Sequence, residues 1–133
     1  MQSRLIAAIG IASTLALGVA LPAQAQGQNP PGVNPEHYEC YQVVGEMRPI
    51  PVRLKDQFGA SEARVVKIVY LCNPVQKNEQ PVKDERTHLV CYQIIGPKPA
   101  NRVVRVINQF GNQQLRVTAA QLLCVPSLKE VIK

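Results

Sequence analysis

The chain has 133 residues, 15 Lys or Arg against 9 Asp or Glu, a formal net charge of +6, and 5% aromatic residues with no Trp. Once a leader is removed, that length admits one domain and excludes two ordinary ones. The sparse aromatics argue against a base-stacking surface, so the positive charge does not point to nucleic acid.

Met1 to Ala25 reads as a secretory signal, with Arg4 as the basic start, Leu5 to Leu21 as the apolar run, and Ala23-Gln24-Ala25 as the cleavage site. The run is short for a bilayer span and leads into the polar Gln26-Gly27-Gln28-Asn29-Pro30-Pro31-Gly32, so cleavage is expected rather than a retained anchor. Position 26 is Gln, which removes the cysteine needed for lipoprotein processing. The mature protein is therefore expected to be secreted or periplasmic, without stable membrane insertion. Residues 26–36 form a flexible linker, and residues 37–133 form a single β domain.

That domain is written twice. His37-Tyr38-Glu39-Cys40-Tyr41-Gln42-Val43-Val44-Gly45 returns 51 residues later as His88-Leu89-Val90-Cys91-Tyr92-Gln93-Ile94-Ile95-Gly96. Gln57-Phe58-Gly59 and Leu71-Cys72-Asn73-Pro74 return at an offset of 52 as Gln109-Phe110-Gly111 and Leu123-Cys124-Val125-Pro126. Fixed-period similarity of this kind marks a duplicated supersecondary unit, with copies over 37–87 and 88–133.

Three runs of β-branched and aromatic residues per copy predict strands. The first copy has them over Tyr38 to Val44, Val52 to Lys55 and Ala63 to Leu71. The second has them over Leu89 to Ile95, Val103 to Ile107 and Leu115 to Thr118, the last continuing less regularly toward Cys124. Val104-Arg105-Val106 and Leu115-Arg116-Val117 alternate, so each Arg should face water and its neighbours inward. Asp56-Gln57-Phe58-Gly59 and Asn108-Gln109-Phe110-Gly111 have the residues of hairpin turns. Pro49, Pro51, Pro97 and Pro99 punctuate the first connection of each copy, and Asn73 to Thr87 reads as an exposed link between copies. The whole predicts an all-β fold: a small pseudo-two-fold sandwich or barrel of two three-stranded repeats.

In an oxidising compartment Cys40, Cys72, Cys91 and Cys124 are expected to form two disulfides, for which three pairings exist. Cys40 with Cys72 and Cys91 with Cys124 is favoured, because each copy then carries its own staple. The alternative use of these residues is metal binding, since His37 and His88 each stand three residues before a cysteine. Without a Cys-x-x-Cys knuckle, and with exported thiols prone to oxidation, no metal or other cofactor is expected. The histidines then read as strand-start residues hydrogen-bonded to nearby backbone.

No catalytic constellation is recognisable. Residues 26–133 contain only Ser61 and Ser127, neither in a nucleophile elbow, and the carboxylates Asp56, Glu62, Asp84 and Glu85 are scattered. Charge gives the one hint of a partner. Residues 26–87 hold eight Lys or Arg against eight Asp or Glu, whereas residues 88–133 hold six against Glu130 alone. Arg53 maps onto Arg105 and Arg64 onto Arg116, and a hairpin would set the two arginines of each copy roughly cross-strand. Such an arrangement suits an anion-binding face; its plainer reading is solvated charge that protects strand edges.

The duplicated pattern resembles an uncharacterised domain family of exported bacterial proteins. The residues that carry the likeness are His37 to Tyr41, Asp56 to Gly59, Leu71 to Asn78, His88 to Tyr92, Asn108 to Gly111 and Leu123 to Lys129. The resemblance implies an extracytoplasmic single domain and assigns no activity. The function expected is a non-enzymatic binding or structural module for an anionic surface, glycan or protein. The alternative is a small hydrolase or inhibitor-like protein with a loop-borne site.

Overall fold

A computed structural model describes residues 30–32 and 36–133. The expected signal sequence and most of the linker lie outside the described residues. Seven strands follow in order: β1 His37–Gln42, β2 Ile50–Asp56, β3 Gly59–Val75, β4 His88–Ile95, β5 Arg102–Asn108, β6 Gly111–Val117 and β7 Leu122–Ser127. The fold is all-β, as expected. Its sheets do not close into a barrel. The main sheet runs β1-β3-β4-β7, with β2 beside the first half of β3, and β5-β6 forms a two-stranded sheet of its own.

The duplication holds at the level of register. In the first copy β1 pairs the second half of β3 with Cys40 opposite Cys72, and β2 pairs the first half with Arg53 opposite Glu62. In the second, β4 pairs β7 with Cys91 opposite Cys124, and β5 pairs β6 with Arg105 opposite Gln114. The long third strand of the first copy thus corresponds to β6 and β7 together. The two copies are joined by β3 against β4, from Arg64 opposite Ile95 to Cys72 opposite Leu89, with register shifts near Val66 and Val69.

Both hairpin turns form as the sequence indicates. Asp56 faces Gly59 and Asn108 faces Gly111 across two-residue connections. The Phe58 amide donates to Asp56 Oδ1 at 2.8 Å and the Phe110 amide to Asn108 Oδ1 at 2.9 Å, as an Asx turn provides. Gly59 and Gly111 take φ of +143° and +124°, where a side chain is disfavoured.

Two expectations need correcting. Pro51 lies inside β2 rather than in a connection, which is tolerated because β2 is an edge strand. The link between copies is shorter than Asn73 to Thr87, since β3 runs on to Val75.

The favoured disulfides are present: Cys40–Cys72 and Cys91–Cys124, with Cα–Cα distances of 4.0 and 3.9 Å. Each joins directly opposed residues of neighbouring strands. Packed apolar material is scarce beside them. Ala63, Val65 and Ile94 form the buried cluster, with Met47, Val52, Leu54, Tyr92 and Leu123 against it.

Candidate functional site

The four arginines singled out by the sequence lie on two hairpin faces. In the first copy Arg53 is opposite Glu62 and Arg64 is opposite Pro51, so the arginines share a face as a diagonal pair rather than a directly opposed one. Arg53 Nε lies 3.9 Å from Glu62 Oε1, with both side chains almost fully exposed, so this ion pair is weak. Beside it an open cleft of about 620 Å³ is lined by Pro51, Arg53, Glu62, Arg64, Ile95 and Gly96. Gly96 makes the cleft wall possible, because at its φ of +106° an added Cβ would sit 3.0 Å from the carbonyl oxygen of Glu62.

The second copy repeats this geometry with one change of chemistry. Arg105 is opposite Gln114 and Arg116 opposite Val103, again a diagonal pair on one face. Gln114 stands where the first copy has Glu62. No carboxylate therefore opposes Arg105 across the strand. Val103 and Ile107, 55% and 59% exposed, flank the guanidinium groups on the same face. Arg53, Arg64, Arg105 and Arg116 are all exposed, as the alternation predicts for Arg105 and Arg116, whereas Leu115, expected to face inward, is exposed. The structure does not gather the four into one site.

The four cysteines form a row across β1, β3, β4 and β7. Cys72 Sγ and Cys91 Sγ, from different bridges, are 3.9 Å apart. Neither carries a proton, so this is van der Waals contact. Cys72 and Cys91 are buried, whereas Cys40 and Cys124 are exposed. Oxidised sulfurs are not the thiolates zinc requires, and the described residues contain no group of three or more His, Cys, Asp and Glu that could hold a metal.

The histidines bond to side-chain amides rather than to nearby backbone. His88 is buried with Nδ1 3.1 Å from Asn73 Oδ1, which also accepts from Lys129 Nζ at 3.0 Å. His37 Nε2 lies 3.0 Å from Gln80 Oε1 and 3.1 Å from Gln109 Nε2, while Gln109 Nε2 donates to Gln80 Oε1 at 3.1 Å. A ring nitrogen carries either a proton or a free lone pair, so His37 Nε2 satisfies one of its two contacts at a time. Asn78 and Glu79, both at positive φ, make the tight turn that brings Gln80 into this cluster. The cluster pins the tip of the β5-β6 hairpin to the start of β1, and Lys77 Nζ adds a contact 5.2 Å from the Phe110 ring centre. Sequence reasoning missed it. The only signal was the duplicated His and Gln, and their twins do not meet.

Two shifted ionisable groups have local causes. Asp84 is held below its usual range by hydrogen bonds from Thr87 and from the Arg86 backbone, in an exposed turn. Tyr41 is raised above 10.0 because its hydroxyl donates to Glu39 Oε2 at 3.0 Å and because ionisation would place two negative charges together. Neither lines the cleft beside Arg53.

A family model described as a repeat of unknown function, DUF7450, matches residues 18–126 and so spans both copies. The chain belongs to the DUF7450 family. No curated protein and no solved structure matches it. A DUF7450 chain built this way presents a stapled sheet and two hairpins, one with Glu62 opposite an arginine and one with Gln114 in that place.

Proposed function

We propose that the protein is an exported binding module that takes an anionic partner on the Arg105/Arg116 face of its β5-β6 hairpin, without chemistry of its own. The observation that carries this reading is the replacement of Glu62 by Gln114 within an otherwise duplicated geometry. Two guanidinium groups on one face, with exposed Val103 and Ile107 beside them, suit sulfate or carboxylate groups on a polymer such as an acidic glycan. The Arg53/Arg64 face is the internal control, since Glu62 offsets part of its charge. Heparin chromatography with a salt gradient tests the reading. Arg105→Glu with Arg116→Glu should elute at clearly lower salt, and Arg53→Glu with Arg64→Glu should shift less. Equal retention of wild type and the Arg105/Arg116 variant refutes the proposal.

Export is supported by Arg4, the run Leu5 to Leu21, Ala23-Gln24-Ala25, and the oxidation of all four described cysteines. Intact-mass measurement on protein made with its own leader should find a chain starting at Gln26 and free of thiols. A full-length chain with free thiols would remove the extracytoplasmic part of the proposal.

A further inference from the structure

Each repeat completes its neighbour. Ala63 and Val65 of the first copy share one buried cluster with Ile94 of the second, and Tyr92 and Leu123 of the second pack against it beside Met47, Val52 and Leu54 of the first. The backbone joint beneath them is β3 against β4. Among the described residues, β1 pairs only β3, and β7 pairs only β4. Each therefore has an outer edge, and β1 on one side and β7 together with β6, which residues 118–121 set in a separate sheet, on the other carry the twins of the two halves of this joint. Tyr38 to Val44 are the 51-offset twins of Leu89 to Ile95, and Arg116, Val117, Leu122, Leu123 and Cys124 are the 52-offset twins of Arg64, Val65, Tyr70, Leu71 and Cys72.

Exposure shows what the joint covers where it is made. Ala63 is 4% exposed but its twin Leu115 is 45%, and Ile95 is 50% exposed but its twin Val44 is 102%. Cys72 and Cys91 are buried, whereas their twins Cys124 and Cys40 are exposed. Val104, Val106, Leu115 and Val117 share one face of the β5-β6 hairpin, in the places of Val52, Leu54, Ala63 and Val65. The edges also offer backbone. The Val43 amide donates to Val69 at 3.2 Å and the Ile94 amide to Gln121 at 3.0 Å. Because strand amides alternate in direction, those of Gln42 and Leu122 point outward.

We propose that the outer edge of β1 pairs antiparallel with the outer edge of β6 and β7 in a second copy of this chain, reproducing the β3–β4 joint between molecules. The register follows from the internal one: Cys40 opposite Leu122 on β7 and, with β6 drawn into line with β7 by the pairing, Val43 opposite Val117 and Val44 opposite Arg116 of the other copy. Tyr41 and Val43 then occupy the places of Tyr92 and Ile94 over the apolar face of the hairpin. The sulfur row continues across the boundary, and exposed Glu39 and Glu46 approach the basic second copy. Because unlike edges meet, copies add head to tail until the row closes or runs on.

Sedimentation velocity on the oxidised protein over a concentration series tests this. Wild type should pass from one chain to two or more as concentration rises. Gln42→Pro and Leu122→Pro each remove one outward amide without taking a donor from the internal ladder, and each variant alone should stay a single chain. An equimolar mixture of the two should restore a two-chain species, since each brings one intact edge. Thiol titration confirms that both bridges have formed. If a proline variant fails to oxidise fully, Val44→Arg decides, because Val44 is fully exposed in the single chain but meets Arg116 in the joint; its association should weaken at least tenfold. A wild type that remains one chain at every concentration overturns the proposal. So does association that survives the substitutions, or a mixture that stays monomeric.

Discussion

Cutting one disulfide measures how far cross-links, rather than packed side chains, hold this fold. Cys40–Cys72 closes a sequence separation of 32 and Cys91–Cys124 one of 33. In the chain-entropy account, loops of that size remove about 3.7 kcal/mol of denatured-state freedom each at 25 °C. The two loops do not overlap, so losing both costs about 7 kcal/mol, within the roughly 5–15 kcal/mol net stability of ordinary domains. Each bridge also contains one buried and one exposed cysteine, Cys72 with Cys40 and Cys91 with Cys124, so packing losses should match as well. Cys40→Ala with Cys72→Ala, and Cys91→Ala with Cys124→Ala, should therefore lower the free energy of urea unfolding equally, by roughly 3–5 kcal/mol. The m-value should rise, because the uncrosslinked chain unfolds to a more open state. A loss below about 1 kcal/mol, or two losses differing by more than about 1.5 kcal/mol, would refute loop closure as the main source of stability.

Further outcomes follow from the core and the turns. Ile94→Ala should cost about 2–5 kcal/mol in the same assay, as buried aliphatic truncations do, and Val43→Ala should cost less because its side chain is only half-buried. Gly96→Ala should destabilise by roughly 1–3 kcal/mol through backbone strain, since it must hold a φ of +106° with its Cβ against Glu62; thermal unfolding reads the loss. Absorbance titration should place the Tyr41 phenol above 10.0, and Glu39→Ala should bring it back. A phenol raised in the folded state stabilises below its unfolded pKa, so any stabilising effect of this contact is present at neutral pH and lost as pH rises through the folded value.

Six of the seven strands, both turns and the favoured disulfide pairing were legible because each rests on local chemistry: β-branched runs, an Asx residue before a Gly, and one cysteine pair per copy; that the third run of the second copy splits into β6 and β7 was not. Nor was the end of β3. Asn73-Pro74 reads as punctuation, yet the last β3–β4 pair is Cys72 with Leu89, so the missing amide of Pro74 falls where that ladder has already ended. The diagonal placement of the arginines was also hidden, because it depends on register rather than on spacing. The Gln109, His37 and Gln80 cluster joins residues 72 and 29 positions apart. Nothing local distinguishes Gln109 from its exposed twin Gln57. Only the path of the hairpin across the molecule does.

That path has a cause in four residues. Val66-Lys67-Ile68-Val69 carries β3 from its hairpin half to its bridged half, and the corresponding residues of the second copy are Thr118-Ala119-Ala120-Gln121, where the strand breaks. Alanine is a poor strand former and valine and isoleucine are good ones, which favours the break. Intrinsic preference is the smaller part, since such scales span only about 1 kcal/mol and yield to context. The larger difference is a partner: Lys67 and Ile68 lie opposite Gln93 and Tyr92 of β4, while among the described residues no strand lies along the corresponding edge of 118–121. A strand paired on one side with β-branched residues can run 17 residues through two bulges. Its copy, unpaired and alanine-bearing, gives way, and the freed β5-β6 hairpin swings its tip to His37 and leaves Arg105 and Arg116 facing solvent. The duplicated sequence thus builds one repeat whose third strand stays whole and one whose hairpin stands apart from the main sheet.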